Sequence, residues 1–194
     1  MQTLELDLTK RYSYADYLTW FDDKRRELID GIISLMSPAP SMKHQEVSRN
    51  MLRIFANFLH KKTCKVFYAP FDVRLPKNGE KENEKLFNVV QPDLCIICDP
   101  SKIDDKGCLG APDMIVEIIS LSNTKHDVKT KFELYQKHGV KEYWIVFPYD
   151  KMVQVWLLDD NGKYQLQANF VEDDKIKVNI LPECEIDLTD VFED

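Results

Sequence analysis

The stretch Asp113-Met114-Ile115-Val116-Glu117-Ile118-Ile119-Ser120 most constrains what this chain can become. Its β-branched residues favour a strand. Apolar side chains on both of its faces favour a strand covered on both sides, at the centre of a sheet. Glu117 interrupts that pattern with a carboxylate. An ionised acid is rarely buried unless it is paired, hydrogen-bonded or bound to a metal, and a lone one shifts its pKa upward. A second strand, Pro92-Asp93-Leu94-Cys95-Ile96-Ile97, repeats the problem with Asp93. Two acids on neighbouring strand ends suggest a shared cation, and oxygen ligands favour Mg²⁺ or Mn²⁺. Each acid also has a structural explanation. Asp93 would cap a turn after Pro92, and Glu117 would pair with a lysine.

The rest of the chain supplies the setting. Ser13 is positioned to cap a helix from Tyr14 to about Asp22, and Ser41 one that runs to about Lys61. Asp30-Gly31 between apolar runs predicts a hairpin. Cys64 to Tyr68, Phe71 to Leu75 and Val89 to Cys98 read as strands, and Asp99 to Gly110 as a loop. Asn123 or Thr124 caps a helix that Gly139 ends after His138, and Lys141 to Phe147 follows as a buried strand. Met152 to Leu158 and Lys163 to Phe170 form a hairpin, and a last strand pair closes the chain. Strands alternate with helices in the middle, which predicts an α/β fold with one mixed sheet and helices packed against it. The 194 residues suit a single domain spanning 1–194.

Charge at first points away from nucleic acid. The net charge is −7, yet residues 172–194 hold nine acids and two lysines, so residues 1–171 balance to zero. The acidic excess is confined to the C-terminal segment and no longer excludes a phosphate ligand. The absence of a signal-like N-terminus or a long apolar run leads to the expectation of a cytoplasmic protein off the membrane, with its five cysteines as reduced thiols.

On the helix after the Glu117 strand, Asp127, Lys131 and Tyr135 recur at i, i+4 and i+8 and share one face. A solvated Asp127–Lys131 pair accounts for that spacing as readily as a site does. Lys125, Lys129, Lys131, Lys137 and Lys141, with Lys61, Lys62 and Lys65, form the best available phosphate-contacting surface. A solvated face explains these lysines nearly as well.

Several of these runs together resemble the Uma family of restriction-endonuclease-like proteins. They are Glu27-Leu28-Ile29-Asp30-Gly31, Met36-Ser37-Pro38, His44, Pro92-Asp93-Leu94, Ala111-Pro112-Asp113 and Val116-Glu117-Ile118-Ile119-Ser120. Asp127, Lys131, Tyr135, Gly139-Val140 and Glu142-Tyr143-Trp144 complete the set. The resemblance spans about residues 10–192 and is most specific from Ala111 to Pro148. It implies a PD-(D/E)XK nuclease fold: a mixed central sheet flanked by helices, with an N-terminal hairpin and C-terminal antiparallel strands. It also implies Asp93 and Glu117 as acidic ligands of Mg²⁺ (or Mn²⁺), with the carbonyl of Ile118 as a third. A strand of the Glu-x-Lys kind would carry its lysine at 119, where this chain has Ile119. The resemblance moves that lysine to the following helix, as Lys131, and adds Glu27 as an extra acid. His44 is a weaker candidate, near a helix start.

Such a site implies hydrolysis of DNA phosphodiester bonds without a covalent enzyme intermediate. Lys131 would position or deprotonate the attacking water and offset charge on the phosphorane. A homodimer is expected, because a double-strand cut needs two sites about a twofold axis. The alternatives are a non-catalytic DNA-binding or regulatory protein on the same fold, and an interaction module whose acidic segment binds a basic partner. Cys95-Ile96-Ile97-Cys98 looks like a metal knuckle, but strand geometry sends its thiols to opposite faces. Tyr143, Trp144 and Trp156 read as core aromatics.

Overall fold

The computed structural model describes residues 5–22, 24–36, 40–120 and 125–193, with side chains in the last segment described from Val128 onward. The chain starts with a short helix α1 (Tyr14–Tyr17), held by a capping box between Ser13 and Asp16. This helix is shorter than its apolar spacing predicts. Strands β1 (Arg26–Ile29) and β2 (Ile32–Leu35) then form the expected hairpin. Asp30 and Gly31 both take positive φ (49° and 82°), the backbone that a two-residue turn between twisted strands requires. Helix α2 (Met42–Phe58) starts on the Ser41 cap, as expected.

Strands β3 (Lys65–Tyr68) and β4 (Val73–Arg74) follow. The run Val89 to Cys98 is not one strand. It divides into β5 (Val89–Val90) and β6 (Leu94–Ile97), which lie in different sheets. Pro92, which has no N–H to donate, stands in the gap beside Asp93. The expected loop 99–110 contains two further strands, β7 (Ile103–Asp104) and β8 (Gly107–Leu109). Then come β9 (Met114–Ile118), α3 (Lys125–His138), β10 (Glu142–Phe147), β11 (Met152–Leu158) and β12 (Tyr164–Val171). Gly139 ends α3 at φ 82°. Its expected caps, Asn123 and Thr124, lie outside the described residues.

Two six-stranded sheets result. The central mixed sheet runs β12-β11-β10-β9-β6-β3, with β9 and β10 parallel across the α3 connection. The second runs β2-β1-β5-β4-β8-β7 and extends the N-terminal hairpin. Strands β4 and β5 fall within stretches that read as strands, but nothing local assigns them to a second sheet, and β7 and β8 have only two and three residues, too few to show alternation. Side chains alternate across β9 as the period of two requires. Met114, Val116 and Ile118 join the core shared with Val47, Met51 and Phe55 of α2. Ile115 faces the other core with Leu134 and Tyr135 of α3.

The acidic segment is built into the first of these cores. Strands β13 (Lys175–Lys177) and β14 (Glu185–Asp187) pair, and α4 (Leu188–Phe192) follows. Ile176, Val178, Ile186, Leu188, Val191 and Phe192 are buried there, and Asn50 of α2 donates to the carbonyls of Val191 and Glu193. The thiols also depart from expectation. Antiparallel pairing of Lys65 with Ile97 brings the flanking Cys64 and Cys98 together as a disulfide, while Cys95, Cys108 and Cys184 are free and buried.

Two substitutions test this packing. A Cβ at Gly107 (φ 115°) would lie 2.2 Å from the Asp72 carbonyl oxygen, so Gly107→Ala should lower unfolding free energy by more than about 2 kcal/mol in urea titrations. Phe192 is 1 % exposed, and Phe192→Ala should remove about 3–5 kcal/mol by the same measurement.

Candidate active site

The polar residues singled out from the sequence come from four elements. Glu27 lies on β1, Glu117 near the end of β9, Lys131 and Tyr135 on α3, and His44 in the first turn of α2. Asp93 stands where the chain crosses from one sheet to the other, immediately before β6. Glu27 therefore comes from a strand of the N-terminal hairpin.

Lys131 links the sheets. Its Nζ donates to Glu27 Oε1 at 2.9 Å and to Glu117 Oε1 at 3.0 Å. Spacing alone would give Lys131 a solvated pair with Asp127. In the structure its side chain is largely buried, between the carboxylates of Glu27 and Glu117. Burial disfavours its charge, but Glu117 and Glu27 outweigh that effect and hold its pKa above the ordinary lysine value. The Tyr135 hydroxyl donates to the same Glu117 oxygen at 2.6 Å. Glu27 Oε1 also accepts the Gln91 main-chain N–H at 2.9 Å.

Glu117 is raised in pKa chiefly by burial. Lys131 opposes the rise, while the charges of Asp93 and Glu27 add to it. Asp93 is fixed from two sides. Its Oδ2 accepts the Ile118 N–H at 2.7 Å, and its Oδ1 faces His44 Nε2 at 3.3 Å. Burial also disfavours charge on His44, but the hydrogen bond and charge of Asp93, then Glu117 and the Ile118 main chain, leave its pKa above the usual histidine value. His44 Nδ1 is buried with no partner among the described residues.

The balance of charge suits a cation. Glu27 and Glu117 share one lysine, Asp93 adds a third carboxylate that faces His44, and burial raises the pKa of Glu117 despite Lys131. Glu117 Oε1 takes both hydrogen bonds, so Oε2 receives none from the described residues. Among the described residues no three His, Cys, Asp or Glu side chains form a metal-holding group. Two carboxylates, the Ile118 carbonyl and water are nevertheless the kind of sparse oxygen set that Mg²⁺ accepts.

Other sequence candidates are separated by the structure. The side chain of Asp127 lies outside the described residues. Cys95 joins the core on the α3 side, while Cys98 packs with the core on the α2 side, as the CxxC geometry requires. Part of the expected lysine surface is neutralised: Lys141 pairs with Asp113 at 2.7 Å, Lys129 with Glu133 at 3.7 Å and Lys62 with Glu183 at 3.8 Å. Gln91 was missed. Besides its N–H to Glu27, its side chain donates to Asp72 and to the Tyr17 hydroxyl and accepts from Arg25, a network that braces β1. Its one sequence signal was its place just before Pro92-Asp93.

Comparison with known proteins agrees with this architecture. The chain shares 23% identity over 171 residues with a Synechocystis sp. protein, "Uncharacterized protein slr1290", covering 87% of this chain and 85% of the relative. The fold matches the crystal structure of "a putative nuclease belonging to DUF820" from Anabaena variabilis, with a TM-score of 0.72 and 18% identity over 93% of this chain and 97% of that one. Residues 14–189 match the model of the Uma2 family, described as "Putative restriction endonuclease", and the chain belongs to that family.

Proposed function

We propose that this protein is a Mg²⁺-dependent endonuclease that hydrolyses DNA phosphodiester bonds, with Mn²⁺ as an alternative ion. The observation that carries this reading is the convergence of Glu27 and Glu117 on Lys131, with Asp93 beside them. Asp93 and Glu117, with the Ile118 carbonyl, would hold the cation. When bound, it supplies Lewis acidity that lowers the pKa of water and offsets phosphate charge.

The chain's own residues do the rest. An ammonium held by two carboxylates is a donor and accepts no proton. Lys131 therefore orients the attacking water and faces the negative charge that builds on the phosphorane. Glu27 keeps that ammonium in place, and the Gln91 N–H keeps Glu27 in place. Tyr135 fixes the rotamer of Glu117, and Ile118 N–H with His44 fixes Asp93. We further propose that the protein acts as a homodimer, which would bring two such sites to opposite strands of a duplex.

Plasmid nicking in Mg²⁺ tests the assignment. Asp93→Ala and Glu117→Ala should each abolish cleavage, and Lys131→Met should lower kcat by about 10²- to 10³-fold. Cleavage that survives both acid replacements would overturn the assignment. Metal binding without cleavage of any duplex or single-stranded DNA would instead favour a DNA-binding protein on the same fold.

Metal binding should also register as stability. With a Kd of about 0.1–1 mM, about 10 mM Mg²⁺ should raise the unfolding free energy by about 1.4–2.7 kcal/mol. Glu117→Ala should lose that increment in thermal or urea unfolding.

A further inference from the structure

Beside the carboxylate cluster, on a different face of α3, lies a cavity of about 650 Å³. Ile119, Val128, Phe132, Phe147 and Trp156 give it apolar and largely aromatic walls. Phe132 and Trp156 meet edge to face with ring centroids 4.9 Å apart. Trp156 packs against the core on the α3 side, as expected, but its ring is only partly covered and also borders this cavity.

Three details distinguish this cavity from an apolar packing gap. The Trp156 indole N–H is buried and has no acceptor among the described residues. Such a donor is expensive to leave unpaired, and a small turn of the Trp156 ring toward the cavity would let a ligand acceptor satisfy it. Gln154, two residues earlier on β11 and also in the wall, adds an amide that both donates and accepts. The register between β11 and β12 slips at this point: Val155 pairs with Ala168 but Trp156 with Leu166, which leaves Gln167 as an extra residue. A bulge of this kind re-aims nearby side chains and is frequent beside active sites.

The chemistry of the walls selects the occupant. An aliphatic ligand would leave the indole N–H unpaired, while the rings of Phe132, Phe147 and Trp156 favour a flat partner and Lys129, Glu133 and Gln136 add polar groups to the same walls. A flat heteroaromatic ring with polar groups on its edge satisfies both demands. The location narrows the choice further. Ile119 is two residues past Glu117, and Phe132 directly follows Lys131. A phosphodiester held at the carboxylates would bring its own bases to this wall.

We propose that the cavity receives an unstacked nucleobase of the nucleic-acid substrate, with Phe132 and Trp156 against its ring and the Trp156 N–H donating to an acceptor on its edge. The cavity would then recognise a nucleotide next to the scissile phosphate, as pockets for extruded bases do. The identity of the occupant as substrate rests on the nuclease reading, while its chemistry rests on the cavity alone.

Calorimetric titration of the full chain with the four deoxynucleoside 5′-monophosphates, without metal, tests this directly. At least one should bind saturably, and 2-deoxyribose 5-phosphate, which lacks the base, should not. Trp156→Phe keeps an aromatic ring but removes the donor, and should weaken binding about tenfold. Gln154→Leu is a second variant in case the first fails to fold, and should also weaken binding. No binding by any monophosphate at millimolar concentration would overturn the proposal. Equal binding of the base-free sugar phosphate, or full affinity in both variants, would also overturn it. Binding of a monophosphate by a protein that cleaves no DNA would refute the nuclease reading and leave the base pocket standing. Cleavage by a protein that binds no monophosphate would do the reverse.

Discussion

An ammonium ion taken out of water must be met by anions, or it gives up its proton or pulls its segment back to solvent. Lys131 is met by two. One carboxylate comes from the hairpin sheet and the other from the central sheet, so a single ion joins α3 to both layers. The neighbouring hydrogen bonds reinforce that joint: Tyr135 to Glu117, the Gln91 N–H to Glu27, and Ile118 N–H to Asp93. The polar cluster is thus a structural junction as well as a candidate site. Glu117 Oε1 is a lysine's partner, and the proposed cation would fall to the other oxygen of the same carboxylate.

The distribution of charge follows from how the acidic segment folds. Its apolar residues alternate inward along β13 and β14, with α4 closing over α2. Its acids are left mainly at the surface. The segment belongs to the core that supports β9 from the α2 side, and its negative charge is a by-product of solvated outer positions. Among the described residues, no helix is long and apolar enough to cross a membrane.

What could be read from the sequence depended on the range of the interaction that determines it. The β1–β2 hairpin, the Ser41 cap and the Gly139 terminus depend on residues next to one another, and each was legible. The acid near the end of β9 announced a buried polar centre because its apolar neighbours allowed no other environment. The break at Pro92-Asp93 carried a local mark in its proline and acid, but only pairing partners distant in sequence divide Val89 to Cys98 between two sheets. The Cys64–Cys98 contact was hidden for the same reason, since it follows from strand register and not from spacing. Lys131 lay between these cases. Its position on the helix was clear, but its contact with Glu27 required the hairpin to fold back through β5.

The crossing between the sheets carries one more consequence. Only Gln91, Pro92 and Asp93 separate β5 from β6. The gap between the layers at that point is therefore bridged covalently by three residues, one of them held by a rigid pyrrolidine ring. Loosening of side-chain packing elsewhere cannot widen it far. The spacing of Glu27, Asp93 and Glu117 is governed by the length of a tether, which behaves as a ruler, while the lysine that fills the space between two of them acts as the spacer.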